Sequence, residues 1–291
     1  MDSKLYVGKI YIIEWLTAGD AKTGWELFGE LEPMGLMNKP PVGVSFKRVT
    51  NKTEFVDHLR SIRADFRATK RLPLLHIETH GFQDGIGPSE HDQILWPELM
   101  EELIPLNQLT QLRLWLVVAA CEGLWGLKMA QPASRAAFLA LLGPYKPISA
   151  KHLVIALEVF YRGIFGGQNG NDAIAAMNAA IDANKSTFGI VNAEKLFTDV
   201  YREFLKQSTA EELTTRVEKI VAINKATFKG RRGVGMWKHE IEEARALARQ
   251  HVEAFEEQFD YYRNKFFFID LFPDNSQRFS ITFDECRKAA E

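Results

Sequence analysis

The sequence has little cysteine, no long apolar run and almost no net charge. Only two of its 291 residues are cysteines, Cys121 and Cys286, and two thiols cannot build a disulfide framework. Acidic residues number 38 and basic residues 36, which gives a formal net charge of -2. Such a balance does not favour nucleic acid as a direct partner. The longest purely apolar run, 114–121, is too short to cross a bilayer, so no membrane partner is expected.

The remaining composition is that of a globular protein in a reducing compartment. Hydrophobic residues make up 46% and charged residues 25%, and the length allows one large domain or two modest ones. Residues 1–9 carry charges and lack the apolar core of a signal peptide. We therefore expect a cytoplasmic protein.

The first half of the sequence alternates strand-like and helix-like segments. Strand-like runs, rich in β-branched, apolar and aromatic residues, occur at 5–15, 42–49, 72–79 and 112–120. Helical patterns occur at 51–67, 96–106 and 134–142. The fourth strand is apolar on both faces apart from Arg113, which is typical of a central strand covered on both sides. This alternation predicts an α/β sandwich with a mostly parallel central sheet.

The second half is mostly helical. Helical spacing extends over 151–164, 172–185, 192–206, 210–227 and 237–262, and two short terminal strands are expected at 266–269 and 279–283. Residues 229–235 are glycine-rich and basic, which indicates a linker or an exposed loop. We expect a core at 1–208 and a helical C-terminal region at 209–291 that ends in short strands.

Two reactive side chains follow neighbouring strands of the predicted sheet. His80-Gly81 comes after the third strand, and Cys121 comes after the fourth. Open parallel sheets place their sites at the carboxyl ends of strands, so these side chains should face each other. A thiolate is a strong nucleophile near neutral pH, and an imidazole can take its proton and later protonate a leaving amine. The pattern therefore favours acyl transfer by a Cys-His dyad.

The same two segments resemble the hallmark blocks of the caspase-like cysteine peptidases. Leu-Leu-His-Ile-Glu-Thr-His-Gly at 74–81 is similar to the block that ends in the catalytic His-Gly. Leu-Trp-Leu-Val-Val-Ala-Ala-Cys-Glu-Gly at 114–123 is similar to the block that holds Ala-Cys. The segment between them, at 85–106, resembles that of the prokaryotic CHAT branch, which is related to caspases and separase. The resemblance covers roughly residues 5–205 and implies a caspase-like three-layer sandwich with a helical C-terminal elaboration.

The resemblance also implies roles for individual residues. His80 would be the general base and acid, Cys121 the nucleophile, and the main-chain amides of Gly81 and Cys121 the oxyanion hole. The implied activity is that of an endopeptidase that cleaves a protein substrate through a thioacyl intermediate, without a cofactor. The chain holds no recognisable sensor module, so a separate partner or ligand would control it, and the relatives suggest a prokaryotic stress or antiviral defence pathway.

Substrate preference does not transfer with the resemblance. Caspases carry Gln two residues before the nucleophile, in the pocket for the residue before the cleaved bond (P1), whereas this chain has Ala119. A caspase-type preference for aspartate is therefore not expected. Acidic residues that could line a pocket selective for basic side chains are Asp84, Asp92 and Glu122, and the sequence does not distinguish among them.

Three other readings stay open at this stage. Cys121 could be a buried structural thiol, as most lone cysteines are. The fold could also be a catalytically silent scaffold that acts as an interaction module. Finally, His76, Glu78 and His80 alternate onto one face of their strand, which allows a metal hydrolase. Their order does not match the His-Glu-x-x-His zinc motif. Glu78 could orient a histidine, but it is more typical of an exposed or core-edge carboxylate.

Overall fold

Apolar strands and amphipathic helices alternate along the part of the chain that the structure, a computed structural model, describes: residues 6–129, 133–181, 188–232 and 236–288. The strands are β1 (Lys9–Trp15), β2 (Gly43–Arg48), β3 (Pro73–Gly81), β4 (Gly85–Ser89), β5 (Asp92–Leu95), β6 (Trp115–Ala119), β7 (Ala140–Pro144) and β8 (Phe188–Asn192). The helices are α1 (Thr23–Met37), α2 (Lys52–Thr69), α3 (Trp96–Leu109), α4 (Ala150–Phe165), α5 (Gly170–Ala179), α6 (Ala193–Gln207), α7 (Ala210–Arg232), α8 (Lys238–Glu253), α9 (Phe255–Phe266), α10 (Asn275–Arg278) and α11 (Phe283–Lys288). A short 3₁₀ helix spans Gly123–Met129.

The strands form one mixed, mostly parallel sheet. Its order is β2-β1-β3-β6-β7-β8, and every pair in this path is parallel except β7 with β8. A β4–β5 hairpin adds to the end of β3 in antiparallel fashion. The predicted α/β class and mostly parallel sheet are therefore confirmed. β6 is central, as its apolar sequence predicts, because it lies between β3 and β7 and is buried along its whole length.

Helices cover both faces of this sheet. On one face, Ile10 and Ile12 of β1 pack in a single apolar core with residues of α1, α4 and α5. On the other face, the indole of Trp15 stacks on Phe55 of α2 with ring centroids 5.1 Å apart, and α2 in turn contacts α3. Alternate residues of a strand point to opposite faces, so each strand serves both cores. The result is a three-layer α/β architecture.

The helix expected at 134–142 is wrong, because the end of this segment is strand β7. Residues 140–142 pair in parallel with Trp115–Val117 of β6, and residues 140–144 pair with β8 on the other side. All five residues of β7 are buried. The Ala- and Leu-rich sequence favours a helix locally, but a position beside β6 that is covered on both faces stabilises an extended strand instead.

The chain divides into two compact units. The first unit comprises residues 1–131 and 135–196, and the second comprises 132–134 and 197–291, so the division falls within α6. The sequence-based boundary lies twelve residues later, at 208/209. The second unit contains a hairpin of α7 and α8 with Val217, Val221, Ala248 and Val252 in its core.

The terminal strands expected at 266–269 and 279–283 are wrong. The first segment is the end of α9 followed by a turn, in which the Phe267 amide donates to the Arg263 carbonyl at 3.0 Å. The second segment is irregular and leads into α11. Phe266, Phe267 and Phe268 are all buried, and the rings of the first two belong to an aromatic cluster of this unit. A short, fully apolar run shows neither helical nor strand periodicity. Its sequence alone therefore does not distinguish the buried end of a helix from a buried strand.

Two further segments differ in detail from the expectation. The predicted helix at 237–262 is interrupted at Ala254, between α8 and α9. Residues 229–232 of the expected linker belong to α7, and residues 233–235 lie outside the described residues. Within the described ranges, no helix is long and apolar enough to span a membrane.

Candidate active site

The carboxyl ends of β3 and β6 bring His80, Gly81 and Cys121 together. Glu78 of β3 pairs in register with Ala119 of β6, and His80 and Cys121 each follow two residues later. Both side chains line one cavity of about 150 Å³. Its other lining residues come from the ends of β3 and β6, from the loop after β1, from α1, and from α4 and the loop before it. The juxtaposition predicted from the strand order is thus present.

Gly81 lies against the backbone of Cys121. A Cβ atom placed on Gly81 would be 1.9 Å from the carbonyl oxygen of Cys121 and 3.1 Å from its carbonyl carbon. No side chain larger than hydrogen fits there without a shift of one backbone segment. The glycine after the histidine therefore permits the close approach of the two loops.

The β4 hairpin fixes the direction of the Gly81 amide. Phe82 and Gly85 exchange both backbone hydrogen bonds, at 2.9 and 3.4 Å. Hydrogen-bonded and non-hydrogen-bonded pairs alternate along an antiparallel ladder, so the His80–Gly87 pair is hydrogen-bonded and the Gly81–Ile86 pair is not. The N–H of Gly81 consequently points away from β4. The β3–β4 ladder therefore does not occupy this N–H, although Gly81 itself is not among the residues that line the cavity.

A carboxylate orients His80. The imidazole Nε2 donates to Oδ2 of Asp20 at 3.1 Å, with side-chain exposures of 42% and 27%. Thr17 holds this carboxylate in turn, since its amide and hydroxyl donate to the same oxygen at 2.8 and 2.7 Å. These bonds from Thr17, together with that from His80, lower the pKa of Asp20. Asp20 therefore stays ionised at neutral pH, holds the ring with Nδ1 deprotonated and stabilises the imidazolium once it forms.

Asp20 is the residue of this candidate site that sequence reasoning missed. It lies in the loop after β1, and β1 is the neighbour of β3 on the side opposite to β6. The rule that sites gather at the carboxyl ends of adjacent strands applies to β1 as well. The Thr17-Ala-Gly-Asp20 turn after a strongly apolar strand was the available signal.

The structure separates the two thiols. Cys121 is partly exposed and faces the cavity, so the buried-structural-thiol reading does not describe it. Cys286, in the second unit, is fully buried, and its burial raises the pKa of its thiol to about 11. A thiolate is the reactive form, so Cys286 is the inert one of the pair.

Three buried polar side chains, of which Glu78 belongs to the cavity lining, form a hydrogen-bonded chain. The phenol oxygen of Tyr161 lies 2.7 Å from Nδ1 of His76, and Nε2 of His76 lies 2.8 Å from Oε1 of Glu78. The Thr23 hydroxyl donates to Oε2 of Glu78 at 2.8 Å. Glu78 is only 1% exposed, so the expectation of an exposed or core-edge carboxylate is wrong. Its histidine partner is His76, which lies four residues before His80 on the same strand.

These bonds bear on the metal reading. Both ring nitrogens of His76 are occupied by protein partners, and a zinc ligand needs one of them free. Among the described residues, no group of three His, Cys, Asp or Glu side chains is arranged to hold a metal ion.

The three acidic candidates for a substrate pocket lie elsewhere. Asp84 is in the β3–β4 turn, 3.7 Å from the ammonium of Lys128, and its side chain is 77% exposed. Asp92 lines a separate, larger cavity, and Glu122 accepts from the indole of Trp125 at 2.7 Å. None of the three lines the cavity of His80 and Cys121.

In comparisons with known proteins, no protein-family model and no curated protein sequence matched the chain.

Proposed function

We propose that the protein is a cysteine endopeptidase in which Cys121 is the nucleophile and His80 the general base and acid. The observation that carries this proposal is the convergence on one cavity of an accessible thiol, an imidazole and the carboxylate of Asp20 bonded to that imidazole. Nucleophile, base and orienting group in this order are the parts that acyl transfer needs.

The proposed reaction has two halves. His80 takes the thiol proton, and the thiolate of Cys121 adds to the substrate carbonyl carbon, so that an S–C bond forms and the oxygen becomes an oxyanion. The amides of Gly81 and Cys121 stabilise this oxyanion. His80 then gives its proton to the leaving amine as the C–N bond breaks, which leaves a thioacyl enzyme. A water molecule, deprotonated by His80, hydrolyses the thioester and restores the thiol.

The wider assignment belongs to the same proposal. A histidine and a cysteine at the ends of neighbouring parallel strands, with glycine after the histidine, support the resemblance to caspase-like peptidases of the CHAT branch. We propose a cytoplasmic enzyme, controlled by a protein partner or a ligand and acting in prokaryotic stress or antiviral defence. The catalytically silent scaffold is the competing function, and it requires neither a reactive Cys121 nor the Asp20–His80 bond.

A peptide-library experiment tests the activity. Wild-type protein is incubated with peptides derived from a bacterial proteome, and new termini are identified by mass spectrometry. We expect cleavage that Cys121→Ala and His80→Ala abolish and that Cys286→Ala leaves unchanged, the last variant being the matched control for loss of a thiol. Cleavage by Cys121→Ala equal to that of the wild type would refute the proposal and leave the scaffold.

A further inference from the structure

The cavity of the proposed dyad has a buried carboxylate in its wall. Glu78 lines the same cavity as His80 and Cys121 while only 1% of its surface meets solvent. It lies directly opposite Ala119 in the β3–β6 register, and the methyl group of Ala119 is also part of the lining. The residue two positions before the nucleophile, Ala119, is thus small and lies beside Glu78 on the neighbouring strand.

The hydrogen bonds of Glu78 come from a histidine and a threonine. The chain is satisfied when the Tyr161 hydroxyl donates to Nδ1 of His76 and the Nε2–H of His76 donates to Glu78. Burial and the negative charge of Glu78 both raise the pKa of Tyr161, which keeps its hydroxyl protonated as a donor. Thr23 provides the other bond. Among the residues that the structure describes, no lysine or arginine bonds to this carboxylate.

Glu14 shows the contrast on the neighbouring strand. It pairs with Glu78 in the β1–β3 register and is equally buried, at 1% exposure. Its carboxylate, however, accepts from the guanidinium of Arg48 at 2.7 Å and is neutralised. Glu14 does not line the cavity of the dyad.

The rest of the cavity wall suits a long side chain with a terminal cation. Its charged residues, among those that the structure describes, are Asp20, Glu78 and His80, and none is Lys or Arg. Apolar surface comes from Leu16, Ile148 and Leu153. Lys and Arg side chains combine an aliphatic stem with a charged end, and a buried carboxylate gains most from a cation that reaches it.

We propose that this cavity is the P1 pocket of the peptidase and that Glu78 makes it selective for lysine or arginine. The inference rests on the proposed function. It assigns Glu78 as the specificity-determining residue, in place of the three acidic residues that the sequence suggested.

Two peptide aldehydes that differ only at P1, one with lysine and one with norleucine, test this inference. The Cys121 thiolate adds to the aldehyde carbon, the C=O π bond opens, and the oxygen takes the proton held by His80, which gives a reversible thiohemiacetal. The protein is incubated with increasing concentrations of each aldehyde and then treated with iodoacetamide. The fraction of Cys121 that becomes labelled is measured by mass spectrometry. Occupancy of the pocket is thereby measured without any peptide hydrolysis.

We expect the lysine aldehyde to protect Cys121 at about tenfold lower concentration than the norleucine aldehyde, as for a hydrogen bond to a charged group. Glu78→Gln should reduce this ratio to near one while norleucine protection persists, which also shows that the variant is folded. Glu14→Gln, the matched buried carboxylate, should keep the wild-type ratio. Ala119→Lys, which brings an ammonium to Glu78, should also abolish the preference and replaces Glu78→Gln if that variant does not fold.

The possible failures are distinguishable. Equal protection by both aldehydes in the wild type would overturn the P1 assignment and leave the proposed peptidase intact. A lysine preference that survives both Glu78→Gln and Ala119→Lys would overturn the role of Glu78. Failure of both aldehydes to protect Cys121 would overturn the proposed function together with this inference.

Discussion

Replacement of Asp20 by asparagine isolates the contribution of the group that orients His80. The substitution keeps the shape of the side chain but removes the charge that faces Nε2 at 3.1 Å. A hydrogen bond to a charged group contributes about 1.5–3 kcal/mol, and the 42% exposure of His80 favours the lower end because water screens the charge. A loss of about 1.5 kcal/mol corresponds to roughly a tenfold lower rate. The amide can also donate to Nε2, which would stabilise the tautomer that cannot accept the thiol proton.

The assay is the second-order rate of Cys121 labelling by iodoacetamide at pH 7, followed by mass spectrometry. We expect Asp20→Asn to react about ten times more slowly than wild type, because the ring is no longer held in the orientation and tautomer that accept the thiol proton. Asp84→Asn, which removes one acidic charge from an exposed turn outside the cavity, should react at the wild-type rate. An unchanged rate in Asp20→Asn, or an equal decrease in Asp84→Asn, would refute the role of Asp20.

Three further outcomes follow from the packing. Gly81→Ala should lower the free energy of unfolding by about 1–3 kcal/mol in urea titrations, since its Cβ meets a carbonyl oxygen at 1.9 Å. Gly19→Ala, where the added Cβ meets nothing within 4 Å, should change it little, and equal effects would contradict the packing argument. Tyr161→Phe should cost about 1–3 kcal/mol by leaving a buried ring nitrogen unpaired, whereas Tyr145→Phe, at an exposed position, should cost almost nothing. Cys286 should stay unlabelled by iodoacetamide in the folded protein at pH 7, because burial raises its pKa to about 11, and rapid native labelling would contradict its burial.

The sequence predicted best where one chemical pattern determined one structure. The strand at 112–120 is apolar on both faces, and such a strand is stable only between two helical layers, so its central place in the sheet was readable. Once β3 and β6 were neighbours, the positions of His80 and Cys121 followed from the strand ends. The prediction considered only the ends of these two strands, and it therefore did not include Asp20 in the loop after β1.

The failures have physical causes in long-range packing. Ala140, Leu141 and Leu142 of β7 are good helix formers. They form a strand because they pair with β6 on one side and with β8 on the other. Glu78 bonds to His76, and His76 bonds to Tyr161, which lies 85 residues further along the chain; no local pattern reveals that second contact. Acidic residues close in sequence to the dyad consequently looked like better pocket candidates than the carboxylate that lines it.

Direct detection of the thioacyl intermediate tests the central claim most directly. The protein is mixed with peptide thiobenzyl esters, quenched in acid and digested, and the acylated residue is located by mass spectrometry. The account predicts a peptidyl adduct on Cys121 that is absent from Cys121→Ala and strongly reduced in His80→Ala. No adduct on Cys121, or the same amount with and without His80, would contradict the assignment of a Cys121–His80 dyad.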